Sequence, residues 1–177
     1  MKFKWHVMLM IFVVSLVILG GGVVIFEKYY YQNPLQEQLE DIEKVEKVEI
    51  ETDRNNTRVE INNSYATYLP SMVTEIKEVL KDNLGDEYSL IVNDKPNQNL
   101  EALALAVKPA LYEGARLGNY RSVNNSIQDI AANYSTDDLQ FSVDENFVYL
   151  QAQDGDNYLY IIVPHFENYR GVNNNDF

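Results

Sequence analysis

Hydrophobic and polar residues change period several times along this chain, and each change marks an expected element. Residues 5–26 read WHVMLMIFVVSLVILGGGVVIF, without an Asp, Glu, Lys or Arg. As a helix this run spans roughly 33 Å, close to the ~30 Å hydrocarbon thickness of a bilayer. Trp5 stands at one edge and Tyr29, Tyr30 and Tyr31 lie beyond the other, where amphipathic rings favour a membrane interface. Lys2 and Lys4 precede the run, and Glu27 and an acidic stretch follow it. The positive-inside bias therefore predicts a single-pass anchor in the cell membrane, with residues 1–4 cytoplasmic and the C-terminal domain extracytoplasmic. A cleaved secretory signal fits less well, because its apolar region is only about 7–15 residues long. Here the apolar run resumes after Gly20, Gly21 and Gly22.

Asn33-Pro34 is expected to break the helix, since the residue before proline disfavours αR. Residues 27–46 then form a juxtamembrane stalk. Leu35, Leu39, Ile42 and Val45 make a narrow apolar stripe there, suited to a short stalk helix or to docking on the domain. Around Val48 the period becomes two: Val48, Ile50 and Thr52 share one face, and residues 58–61 alternate again, which predicts a β-hairpin. Met72, Ile76, Val79, Leu80 and Leu84 recur at helical spacing over 69–84, with Gly85 placed to end the helix. Tyr88 to Val92 predicts a short strand.

The longest expected helix covers 100–117, with Leu100, Leu103, Val107, Leu111 and Leu117 on a core face and Pro109 bending it. Beside that face runs a ridge of small residues, Ala102, Ala106, Ala110 and Gly114. Ser122 is placed to cap a further helix carrying Val123, Ile127, Ile130 and Tyr134. The last third alternates as strands: Leu139 to Val143, Phe147 to Ala152, and Tyr158 to Val163, which is apolar throughout and so expected inside the sheet. The fold class expected is thus α+β. An N-terminal transmembrane helix precedes one domain (47–166) with a mixed or antiparallel sheet, order ββ-α-β-αα-βββ, and helices on one face. Residues 167–177 form a polar tail.

Composition narrows the function classes. The 177 residues include 27 acidic and 14 basic ones, for a formal charge of −13, so nucleic acid is not an expected partner. There is no cysteine, which excludes disulfides, thiolate metal sites and thiol catalysis. His6 and His165 are the two histidines, and only His165 lies outside the anchor, so a histidine-based metal centre lacks ligands. His165 also has no recognisable nucleophile motif to serve, and reads as a surface residue. Asp154 and Asp156 suggest calcium, but the fifth and sixth loop positions would be Tyr158 and Leu159 where an EF-hand needs an oxygen ligand and a glycine. A hairpin turn explains them better. Asn55, Asn62, Asn124 and Asn133 each open an Asn-x-Ser/Thr triplet.

The 13 tyrosines include Tyr112, Tyr120, Tyr149 and Tyr160, which read as partly exposed; strand and interface preferences explain most of them, and a tyrosine-rich binding face is the minority reading. No residue qualifies as catalytic, cofactor-binding or metal-ligating, and no cofactor is expected. The reading that follows is a non-enzymatic interaction or structural component of the cell envelope. Its partners are the membrane, through the N-terminal helix, and another protein or a second copy. A membrane-tethered hydrolase or small-ligand or cation-binding domain using carboxylates is the alternative.

Overall fold

A computed structural model describes residues 33–53 and 56–165, together with Met10, Phe12 and Ser15. The fold is α+β. It begins with helix α1 (Asn33–Glu40) and the strands β1 (Val45–Asp53) and β2 (Asn56–Asn63). Helix α2 (Leu69–Leu84), strand β3 (Tyr88–Val92) and helices α3 (Gln98–Leu117) and α4 (Tyr120–Ala131) follow. Three strands close the chain, β4 (Asp138–Val143), β5 (Phe147–Asp154) and β6 (Asn157–Pro164).

The expected transmembrane helix is corrected. Among the described residues no helix is long and apolar enough to cross a membrane. The longest, α3, has 20 residues but carries Glu101, Lys108, Glu113 and Arg116, and its apolar face is taken up by the core. Apart from Met10, Phe12 and Ser15, the run 5–26 lies outside the described residues, as does the tail 167–177.

The single sheet is also corrected. Two three-stranded sheets form, ordered β1-β2-β3 and β4-β5-β6. In the first, β2 pairs antiparallel with β1 and parallel with β3, the crossover being α2. The second is an antiparallel meander. Helices do not keep to one face. Val148, Leu150 and Ala152 of β5 and Leu159, Ile161 and Val163 of β6 pack under α3 and α4. On the opposite face Tyr149 and Tyr160 enter a second core with α1, α2, β1 and β2. The cause is in the strands themselves: β5 is apolar or tyrosine at positions of both parities, so either face must be covered. Strand β6 is buried by these layers although it stands at an edge of its sheet.

Local details follow the same logic. Pro34 sits inside the first turn of α1, where its missing N–H costs nothing; the end of a preceding helix, expected at Asn33-Pro34, lies outside the described residues. Leu35, Leu39 and Ile42 are buried, and the stripe docks on the domain. Helix α2 starts after Tyr68 without a side-chain cap of its own. Gln151 supplies one from β5: its Oε1 accepts from Leu69 N–H at 2.7 Å and its Nε2 donates to Ala66 O at 2.9 Å. Helix α4 begins at Tyr120, so Ser122 lies inside it and does not cap it. Of the small ridge on α3, Ala102 is exposed and Gly114 makes the close approach. A Cβ there would lie 3.1 Å from Val123 Cγ2 of α4. Leu117, expected in the core, is 66% exposed.

Candidate binding groove

A groove of about 770 Å³ opens where α2, the edge of β3 and the β4–β5 turn converge. One side is helical: Val73, Lys77 and Lys81 lie four residues apart and so share a face of α2. The facing side is the strand β3, through Tyr88, Ser89, Leu90 and Val92. Phe147 and Tyr149 of β5 and Ile162 of β6 complete the apolar lining, and Asp144 comes from the turn.

Two charged groups stand half-buried in this groove. Lys77 Nζ lies 4.1 Å from the centroid of the Phe147 ring, in cation–π geometry. Burial pushes its pKa below the ordinary lysine value, and the nearby Asp144 charge opposes that shift. The Asp144 carboxylate is engaged locally. Its Oδ1 accepts from the N–H groups of Asn146 and Phe147, each at 2.7 Å, and its Oδ2 accepts from the Tyr149 hydroxyl at 2.6 Å. Burial, followed by that bond and the Asp144 charge, raises the Tyr149 pKa far above the usual phenol range. Glu78, Lys81 and Asp86 are exposed at the rim.

His165 lies beside the same turn and is not a free surface residue. Its Nε2 is 2.8 Å from Asp144 O, and since a carbonyl only accepts, Nε2 carries the proton. Nδ1 then accepts from the Tyr120 hydroxyl at 3.2 Å. Its main-chain N–H donates to Asn146 O at 2.9 Å. Together these bonds fasten the end of β6 to the β4–β5 turn and to the start of α4. Neither ring partner is a carboxylate or an alcohol nucleophile of the serine type.

The other residues singled out by sequence are scattered. Asp154 Oδ2 accepts from Asn97 and Asn99 at 2.8 and 3.2 Å, tying the β5–β6 turn to the beginning of α3. That turn holds Gly155 at φ +61°, the left-handed conformation a tight hairpin needs. Among the described residues no three His, Asp or Glu side chains gather as metal ligands. Of the four tyrosines expected to be partly exposed, Tyr112 is exposed and Tyr120 half-buried, but Tyr149 and Tyr160 are buried.

Tyr160 belongs to a polar cluster between the sheets. Its hydroxyl accepts from Ala66 N–H at 2.6 Å and from Asn63 Nδ2 at 3.1 Å, while Tyr158 donates its hydroxyl to Asn63 O. Tyr65 donates to Asp138 Oδ2 at 2.7 Å, and its ring stacks on Tyr160. Lys77 was not visible as a candidate in the sequence. Its i, i+4 spacing to Lys81 reads as a solvated helix face, and Phe147 comes beneath it only through folding.

Compared with family models, curated proteins and solved structures, the chain finds no match.

Proposed function

We propose that this protein is a non-enzymatic interaction module that engages another protein through the groove between α2 and β3. One observation carries the reading: Lys77 is a half-buried cation in an open, largely apolar groove, held over an aromatic ring and outside the Lys47–Glu49 and Arg58–Glu60 ion pairs. A site of that kind favours an anionic group on a partner, framed by apolar contacts. The alternative, a carboxylate-based hydrolase or cation site, has less support. Asp144, the half-buried acid of the groove, has both oxygens taken up by three donors of its own turn and strand.

The test places a photo-crosslinking amino acid at Ser89, in the groove, or at Glu101, on the exposed face of α3. Illumination in the native cell is expected to give a discrete crosslinked protein from position 89 and none from 101. Identical patterns from both positions, or no product from position 89, would overturn the groove as the interaction site.

A further inference from the structure

Among the described residues, main-chain hydrogen bonds join the two sheets at one place. Lys95 N–H donates to Tyr158 O at 3.0 Å, and Tyr158 N–H donates to Lys95 O at 3.1 Å. Next to it the Asp94 carboxylate accepts from Tyr160 N–H at 3.0 Å, standing in for a further ladder bond. From this joint β3 and β6 diverge. Among the described residues no strand pairs with the outer edge of β3.

One bond shows which backbone groups face that opening. Asn93 N–H donates to Ile61 O at 2.9 Å. Along an extended strand the N–H and C=O of one residue point the same way, and successive residues alternate. Ser89 and Ile91 therefore turn toward β2, and Leu90 and Val92 turn their backbone groups to the open edge. Leu90 and Val92 both border the groove. An unpaired strand edge beside an apolar trough meets the two requirements of β-strand addition: main-chain hydrogen bonds for affinity and alternate side-chain pockets for specificity.

Charge selects the occupant. Lys77 is in neither the Lys47–Glu49 nor the Arg58–Glu60 ion pair, and the acid that acts on it from within the groove, Asp144, has both oxygens engaged by other donors. The Phe147 ring offers it a π face but no lone pair. Asp144 inside the groove and Glu78 and Asp86 at the rim disfavour further acids nearby, which confines the acidic position to one, at Lys77. A second copy of this chain, at −13, is a poorer occupant than a segment bearing a single acid.

Resting on the groove as a protein-binding site, we propose that it takes an extended peptide segment that adds as a strand along Leu90 and Val92. The segment is apolar at alternate positions and sets one carboxylate on Lys77.

The probe is a displayed library of random decapeptides, selected on the full-length protein and followed by synthesis of the enriched sequence. Enrichment is expected for one Asp or Glu flanked by β-branched or aromatic residues at alternate positions. The synthetic peptide should slow hydrogen exchange at the Leu90 and Val92 amides. Lys77→Met keeps the stem over Phe147 and removes the charge. It is expected to weaken binding by about tenfold or more, as loss of a charge-assisted bond does, without moving the melting temperature. A peptide that binds with no protection at Leu90 and Val92, or equally well to Lys77→Met, overturns strand addition while leaving the groove as a binding site. No enrichment, together with a failed crosslink from position 89, overturns both. A dimer in sedimentation that protects the same two amides makes a second copy the occupant and overturns the peptide.

Discussion

The two faces of the β4-β5-β6 sheet are built from one strand pair and differ in chemistry. Under α3 and α4 the contacts are aliphatic: Val148, Leu150, Ala152, Leu159, Ile161 and Val163 meet Leu103, Val107 and Leu111. On the other face Tyr149, Gln151 and Tyr160 are buried as well, but Gln151 and Tyr160 also hydrogen-bond to the first half of the chain, and Tyr149 to Asp144 of the adjoining turn. The dry face holds by area and shape alone, without direction. The polar face holds by directed bonds, each partner being costly to orphan. Nonpolar packing supplies stability, while the tyrosine and glutamine bonds specify how the β1-β2-β3 half and α2 sit against the sheet. The open groove lies at the end of that polar face, where Phe147 and Tyr149 run out toward Lys77.

This contrast can be broken at either face. The largest effect is expected from Leu150→Ala, a fully buried truncation under the helices, at about 2–5 kcal/mol by denaturant titration. Gln151→Leu keeps volume but orphans Leu69 N–H and Ala66 O, and should cost about 2–3 kcal/mol. Its signature is local: exchange at the Leu69 amide should accelerate beyond the global loss of stability. If Gln151→Leu proved neutral, the polar face would be held by area like the dry one.

Tyr160→Phe removes the acceptor of Ala66 N–H and should cost about 1–2 kcal/mol at neutral pH. The same residue sharpens the contrast in alkali. Burial pushes its phenol from 10.0 up to about 12. Above pH 10 the unfolded chain loses this proton while the folded chain keeps it, so stability is full below pH 10 and falls as pH rises toward 12. Thermal melts across that window should show a shallower decline in Tyr160→Phe than in the parent. The smallest effect is expected from Leu105→Gln on the outward face of α3, where the leucine is 72% exposed. Its stability should stay within about 0.5 kcal/mol of the parent by the same titration.

The legible part of the fold was its local part. The period-two runs of the last third, the helical spacing of 69–84 ending at Gly85, and the Asp154-Gly155 turn all appear where the pattern put them. Pattern failed where a residue's role depended on something distant. Leu117 has core spacing but lies beyond the reach of the sheet, and the ridge of Ala102, Ala106, Ala110 and Gly114 meets a tight neighbour at Gly114 because that is where α4 crosses. Tyr149 and Tyr160 read as partly exposed because nothing local announces a second layer. Of the groove, the apolar strand β3 was readable; Lys77 was not, since Phe147 lies 70 positions further along the chain.

Within residues 47–165 sequence alone determined which stretches are helix and which are strand, because side-chain period and turn chemistry act over a few residues. It also determined a cysteine-free, strongly acidic surface, because composition is independent of folding. Tertiary structure decided that there are two sheets instead of one, that helices cover both faces of the second, and that a strand edge stays open beside a lysine. Those outcomes depend on which buried faces meet, and alternation within a strand is the same whatever layer comes to cover it.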